Sequence, residues 1–350
     1  MSCLISIVVP FYNSHHKSLD LMSTLSSMSG DDIEIIVVDD GSTPDEFELL
    51  AEDAARLTCK SQILRQGNKG PGGARNAGLK AASGEYVWFV DSDDNIRPEA
   101  IEQVRRLRHV GYDFMDFRIT KKSEAVSSMS LDEGEYLVTD EVRLDLLRTL
   151  GRLCTKVFKR SWLVENGIYY PEHCIYEDNY LSFVLPFAAS SLYCSDEIAY
   201  IHNVGGISVT RTHGRTLDGR YFDRLITAER GFRFALNRCE DAAQRNQVVR
   251  KFRNLFLLIT AEKLWLLEDH DHLRRLFSAY LHIITGSLSE DEAHNERLAA
   301  RRVLLKRAEN EEQRAVREAV WESAAPSADS LEYFTSLRDA AWSMPANFPS

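Results

Sequence analysis

Tyr86-Val87-Trp88-Phe89-Val90-Asp91-Ser92-Asp93-Asp94 is the stretch on which the reading of the fold turns. An unbroken apolar run of strand length ends abruptly in three acids. A strand with no polar alternation has no solvent side, so it belongs inside a sheet covered by helices on both faces. Carboxylates directly after it fall at its carboxyl end, where open α/β sheets bind their ligands.

The same pattern recurs upstream. Ile5 to Val9 is an apolar run closed by Pro10, and Ile33 to Val38 is a second that ends on Asp39 and Asp40. Between them Leu19, Met22 and Leu25 recur at helical spacing. Ser42 or Thr43 caps the next helix, with Pro44 in its first turn and Phe47, Leu50, Ala54 and Leu57 as its apolar face. Gln62 to Arg65 is a short third strand, followed by a glycine-rich turn and a small-residue helix through Leu79. Glu85 to Val90 is the fourth strand, and Pro98 starts a helix carrying Ile101, Val104 and Leu107.

This alternation predicts an α/β fold with a mostly parallel sheet flanked by helices. From Phe114 to Val209 short strand and helix signals mix. From Tyr221 the pattern is helical, through Phe252, Leu255, Phe256, Ile259 and Leu264. Trp265, Leu266 and Leu267 read as the core-facing stripe of such a helix, and Glu290 to Glu322 as largely solvated helix. The expected organisation is an α/β domain over 1–215, in halves 1–110 and 111–215, followed by a helical domain over 216–350.

Composition narrows the function classes. Of 350 residues, 44% are hydrophobic and 27% charged, the profile of a globular chain. A net charge of −11 argues against a nucleic-acid partner, since phosphate backbones are held by stripes of Lys and Arg. The six cysteines are scattered without a C-x-x-C pair and read as free thiols of a reducing compartment. The N-terminal apolar run is too short and too uncharged in front for a signal peptide. No stretch approaches the roughly 20 apolar residues that span a bilayer. A cytoplasmic location is expected.

Three constellations carry chemistry. Asp91 and Asp93, one residue apart past a buried strand, suit a hard divalent cation, which takes oxygen ligands and keeps places for water and phosphate. A departing pyrophosphate needs such a cation to absorb its charge. The bland alternative is an acidic turn capping the next helix. Asp39 and Asp40, in Val37-Val38-Asp39-Asp40-Gly41-Ser42, sit where a carboxylate can meet a ribose or a base N–H, and Tyr12 offers a face for stacking. The third is Gly67-Asn68-Lys69-Gly70-Pro71-Gly72-Gly73-Ala74-Arg75-Asn76. Its glycines allow close backbone approach to a phosphate at a helix N-terminus, with Lys69 and Arg75 supplying positive charge. It has no G-K-[ST] ending and the first strand is followed by no G-x-G-x-x-G, so ATPase and dinucleotide-dehydrogenase readings fall away.

Together V-V-P-F-Y-N, V-V-D-D-G-S, the N-x-G…A-R-N-A-G-L segment and F-V-D-S-D-D resemble family 2 of the glycosyltransferases, the inverting GT-A class. The resemblance is strong from Ile5 to about Ala100 and continues in Cys154-Thr155-Lys156-Val157-Phe158-Lys159-Arg160 and Tyr176-Glu177-Asp178. It implies a GT-A fold whose first half binds a nucleotide-sugar and whose second half binds the acceptor. By the same resemblance Pro10, Tyr12, Asp39 and Asp40 contact the uridine of a UDP-sugar, and Asn68, Lys69 and Arg75 lie near its phosphates or sugar. Asp91, with Ser92 beside it, faces the ribose or metal, and Asp93 holds Mn²⁺ or Mg²⁺. Asp178 is the implied base, with Glu177 orienting it or holding the donor sugar; a helix start is the alternative for both.

His202, in Tyr200-Ile201-His202-Asn203, falls where related enzymes close over the pyrophosphate and is a further metal-ligand candidate. A satisfied or exposed histidine is the competing reading for it, as for His173 and His213. The implied acceptor is a saccharide or lipid-linked saccharide. Peripheral contact with the inner face of the membrane and homo-oligomerisation stay open as roles for the C-terminal helices. Two other function classes compete. A sugar nucleotidyltransferase would want a glycine-rich loop with Arg where Pro10-Phe11-Tyr12 stands. A non-catalytic nucleotide- or polysaccharide-binding module would have no use for both Asp93 and Asp178.

Overall fold

The apolar runs become the strands of one sheet. In the computed structural model β1 (Ile5–Phe11), β2 (Ile33–Asp39), β3 (Lys60–Arg65) and β4 (Tyr86–Phe89) pair in the order β3-β2-β1-β4, all parallel. Helices α1 (His15–Ser27), α2 (Pro44–Ala54) and α3 (Gly70–Ala81) connect them. The structure describes residues 3–121, 124–126, 129–203 and 219–343. The chain divides into two compact units, 1–212 with 348–350, and 213–347. The expected boundary at 215/216 and His213 lie outside the described residues.

Beyond β4 the sheet becomes mixed. β5 (Asn95–Ile96) and α4 (Ala100–Leu107) are followed by β6 (Phe114–Lys121), β7 (Glu124–Val126), β8 (Gly134–Leu137) and α5 (Asp140–Thr149). Then come β9 (Lys156–Lys159), α6 (Arg160–Glu165), α7 (Asp178–Ala188) and β10 (Ser191–Ile201). β9 inserts antiparallel between β4 and β6, β10 runs parallel to β6, and β5 pairs antiparallel at the far edge, giving ten strands among the described residues.

Alternation along β1 divides the core. Ile5, Ile7, Val9 and Phe11 pack with Leu21, Met22 and Leu25 of α1 and Ile101 and Val104 of α4. Val8 faces the other way, where a Cβ on Gly78 of α3 would lie 2.2 Å from its Cγ1. On that face Phe89, Phe114, Phe158, Trp162 and Tyr170 form an aromatic layer.

Local differences have simple causes. Leu19 is exposed and Leu21 faces the core instead, because α1 begins at His15 and its buried stripe runs through Ser18, Leu21, Met22 and Leu25. Neither Ser42 nor Thr43 caps α2 with its side chain; the Ser42 hydroxyl accepts from the Asn13 N–H instead. Phe47 is half-buried beneath the Arg65 guanidinium, 4.2 Å from its ring centroid. Pro98 stands in the turn before α4, which starts at Ala100.

The second unit is helical: Asp223–Leu236, Ala242–Phe252, Ile259–Leu266, His270–Ser287, Glu290–Lys306, Glu311–Glu322 and Ala328–Ser343. Its buried charges are paired. Asp223 accepts from Arg338 Nε (2.5 Å) and Trp342 Nε1 (2.9 Å), and Glu296 accepts from Tyr280 and Arg253. The helix expected to face the core through Trp265, Leu266 and Leu267 does so through Ala261 and Leu264, with Trp265 and Leu267 half-buried; Leu266, over half a turn from Leu264, is 81% exposed. No described helix is long and apolar enough to cross a membrane. All six cysteines are free.

Candidate functional site

The carboxyl ends of β1, β2 and β4 lie side by side, because β1 pairs in register with both neighbours. Asp39 closes β2, fully buried. Its Oδ1 accepts from the Ser42 N–H (3.1 Å). Its Oδ2 has no hydrogen bond, with Arg65 Nε 3.1 Å away but out of line. A buried acceptor left over at a sheet rim is the kind of group that an N–H of a bound base satisfies.

Asp40 turns inward. Its Oδ1 accepts from Gln66 Nε2 (2.7 Å) and from the Lys69 N–H (2.9 Å). Burial pushes its carboxyl up to about 6, against the hydrogen bonds from Gln66, Lys69 and Gly70. Asp40 thus anchors the glycine-rich turn. Pro10 and Tyr12 end β1 at the same edge, half-buried. The loop after Tyr12 is stitched to the β2 loop through Asn13, which has φ +43° and whose Oδ1 accepts from the Thr43 N–H (3.0 Å).

Two glycines of the turn, Gly72 and Gly73, are set by protein packing. A Cβ on Gly72 would lie 2.1 Å from the Pro171 carbonyl oxygen, and one on Gly73 would strike the Lys69 side chain at 2.4 Å. Asn68 Oδ1 accepts from the Gly70 N–H (3.1 Å). Lys69 is exposed, 3.5 Å from Glu172. Asn76 exchanges two hydrogen bonds of 2.9 Å with the backbone of Tyr170, and the Lys69 carbonyl receives the His173 N–H. Segment 170–177 is thereby clamped onto α3. His173 and Tyr176 hold positive φ there, at +52° and +63°, the strained backbone that gathers at functional sites.

That clamp delivers Glu177 and Asp178. Glu177 is buried at the start of α7, and Asp178, half-buried, is its first residue. Arg75 lies between Glu177 and Asp91. One guanidinium nitrogen donates to Glu177, the other to Asp91 Oδ1 at 2.5 Å, and its carbon sits 5.2 Å from the Tyr170 ring centroid. Burial would weaken the Arg75 charge, but the two carboxylates hold it firmly protonated. Burial raises Glu177 despite the Arg75 charge, and neighbouring Asp178 raises it further.

The acidic loop after β4 distributes its residues unequally. Asp91 is engaged by Arg75. The Ser92 hydroxyl pairs with that of Ser14 (2.9 Å), tying this loop to the one after β1. Asp93 is exposed and makes no ion pair among the described residues; the protein packed around its carboxyl and then the Asp91 charge raise its pKa. Asp94 is buried and binds the end of β10: Oδ2 accepts from Tyr200 Oη (2.8 Å), and Oδ1 meets His202 Nδ1 (2.9 Å) and the Asn203 N–H (3.0 Å).

Among the described residues no three His, Cys, Asp or Glu side chains converge to hold a metal ion. The chemistry of the donor set still fits one. Asp93 offers an unpaired carboxylate whose crowded negative charge a cation would relieve. His202 Nε2 has no hydrogen bond among the described residues. Hard cations bound with a diphosphate take few protein ligands and fill the rest with phosphate and water.

The structure therefore brings Asp39, Asp40, Asn68, Lys69, Arg75, Asp91, Asp93, Glu177 and Asp178 to the loops at one rim of the sheet. Two contributors, Gln66 and Asn76, were not singled out in sequence, and Asp94 was noted among the acids of the strand end without a role. Asp94 is the third acid of the quoted stretch; Gln66 and Asn76 carry no signal except adjacency to motifs.

Residues 6–176 match the family model described as Glycosyl transferase family 2. The chain is 27% identical over 261 residues to the poly(ribitol-phosphate) beta-N-acetylglucosaminyltransferase TarS of Staphylococcus aureus, covering 71% of this chain and 43% of that protein. It is 35% identical over 176 residues to a poly(ribitol-phosphate) beta-glucosyltransferase of Bacillus spizizenii, covering 48% of this chain and 27% of the other. The chain thus spans less than half the length of these curated relatives. The crystal structure of S. aureus TarS 1-349 in complex with UDP-GlcNAc matches the fold with a TM-score of 0.67 at 22% identity, covering 91% of each chain. Over residues 6–176 the sequence is thus similar to glycosyl transferase family 2.

Proposed function

We propose that this chain transfers a sugar from a UDP-sugar to a hydroxyl of a saccharide or lipid-linked saccharide, with inversion and with the help of a divalent cation. The observation that carries the reading is the single rim where Asp39, Arg75, Asp93 and the Glu177-Asp178 pair gather at the strand ends. Relatives named as sugar transferases acting on poly(ribitol-phosphate) support a polyhydroxylated acceptor.

In this mechanism the buried Asp39 Oδ2 accepts the base N–H, and Tyr12 lies against the base. Arg75, fixed between Asp91 and Glu177, holds the donor sugar and the near phosphate. The acceptor oxygen attacks the anomeric carbon on the face opposite the diphosphate. A carbon–oxygen bond forms to the acceptor as the bond to the diphosphate breaks, and its electron pair leaves with UDP. The hydroxyl proton passes to the Asp178 carboxylate, the general base such a displacement needs. Asp93 and His202 would hold the divalent cation, which would supply the positive charge that the leaving diphosphate requires.

The test is UDP release from a panel of UDP-sugars in Mn²⁺ and in EDTA, with the product anomer read by NMR. Metal-dependent release with inverted product is expected. Absence of turnover with every donor, together with absence of stabilisation by UDP, would reject the reading.

A further inference from the structure

We propose that Asp94 is a positioning residue that ties back Nδ1 of His202 and so presents Nε2 to the divalent cation of the donor site. The proposal rests on the metal-assisted reading above. It starts from a distribution of hydrogen atoms. Tyr200 Oη receives the Asp91 N–H (3.2 Å) and donates to Asp94 Oδ2 (2.8 Å). Asp94 Oδ1 receives the Asn203 N–H (3.0 Å). Both carboxylate oxygens are thus acceptors already. With Asp94 ionised, the hydrogen in the 2.9 Å contact between Oδ1 and His202 Nδ1 belongs to the imidazole. A neutral ring protonated on Nδ1 keeps its lone pair on Nε2, the form that binds metals, and a carboxylate on the far nitrogen is the usual way a protein selects it.

The same carboxylate supplies rigidity. Tyr200 is fully buried, Ile201 pairs with Asn95 across β10 and β5, and Asn203 Nδ2 donates to the Asp93 carbonyl (3.1 Å). Asp93 and His202 come from segments over a hundred positions apart, yet these bonds make their backbones one unit, with Asp94 at its centre. Without the tether the half-exposed imidazole would be free to turn about its own side-chain bonds, and it would lose that freedom only on meeting the cation.

The experiment measures Mn²⁺ affinity of the full chain at saturating UDP, by the electron paramagnetic resonance of free Mn²⁺. UDP affinity in EDTA serves as the check on fold. Asp94→Ala is expected to weaken Mn²⁺ binding about 10-fold or more, the usual effect of losing an outer carboxylate. Asp94→Asn, which keeps an oxygen for the Nδ1–H, should restore most of it. His202→Ala should weaken Mn²⁺ at least as much, and adding Asp94→Ala to it should cost nothing further.

Unchanged affinity in Asp94→Ala, or additive losses in the double variant, would overturn the proposal while leaving the metal reading intact. No Mn²⁺ binding by the parent chain with UDP would overturn both. Should Asp94→Ala fail to fold, the ¹⁵N shifts of His202 in the metal-free parent decide: the Nδ1–H form supports the proposal and the Nε2–H form overturns it.

Discussion

If Asp178 is the proposed base, removing only its proton-accepting charge separates binding from transfer. Asp178→Asn keeps the side-chain shape at the start of α7, so UDP-sugar affinity by calorimetry should hold while transfer falls about 10²- to 10⁴-fold. Unaltered turnover would remove Asp178 from the role. Arg75 is a different case because it is structural and functional at once. Arg75→Ala leaves Glu177 and Asp91 facing each other without their cation; a fully buried pair costs about 3–5 kcal/mol to break, and this part-buried one less. Urea unfolding should show that loss, and Arg75→Lys should recover little of it, since one ammonium cannot fork to two carboxylates. The placement of these residues was readable in the sequence: a cation in a glycine-rich turn, acids after apolar strands. Their partnerships were not. Arg75 meets Glu177 across 102 positions and Asp94 meets His202 across 108, and no local spacing encodes such pairs.

At the scale of elements, the parallel strands and their helices were legible because an apolar run followed by a helical period is a local signal. The mixed half of the sheet was not, because β9, four residues long, pairs with strands on either side that no turn links to it. The glycine-rich turn shows a related limit: its composition is shared by phosphate loops and by tight packing, and only the fold shows Gly72 against the Pro171 carbonyl. Gly72→Ala should therefore push segment 170–177 off α3, at a cost of about 1–3 kcal/mol for overpacking and with lower transfer. Matching stability and turnover to the parent would refute this.

At the opposite end of the sheet Glu34 of β2 is buried and receives Ser6 Oγ (2.5 Å), the Ser83 N–H, Ser83 Oγ (2.8 Å), the Gly84 N–H (3.1 Å) and Lys60 Nζ (2.9 Å). Burial alone would raise its carboxyl, but these donors lower it from 4.5 to about 2. The folded chain then holds this proton more weakly than the unfolded one. Its contribution, on the order of 3 kcal/mol, is complete above the ordinary value and lost as pH falls from there toward 2. Glu34→Gln should destabilise the chain at neutral pH and flatten the acid limb of its stability curve in urea titrations. A parallel acid limb in the variant would show that other carboxylates govern it.

For the molecule as a whole, sign is the governing problem. A chain of net charge −11 must receive a donor whose diphosphate is also negative. Lys69 and Arg75 supply local positive charge, but Arg75 is already shared between two carboxylates. In the proposed mechanism the remaining neutralisation falls to a cation, although no three potential ligands converge among the described residues. The proposed site is one that the diphosphate would complete, so the proposal requires cation and nucleotide to bind together. Coupling of this kind is reciprocal: the factor by which Mn²⁺ tightens UDP equals the factor by which UDP tightens Mn²⁺, within about 5- to 150-fold for ordinary linkage. Calorimetric titration of UDP with and without Mn²⁺, and of Mn²⁺ with and without UDP, should close this cycle. Uridine, which offers the base and ribose but no diphosphate, should bind equally in both conditions. Mn²⁺ binding of the same strength with and without UDP would mean that the protein holds the cation alone, and the division of ligands between Asp93, His202 and the diphosphate would be wrong.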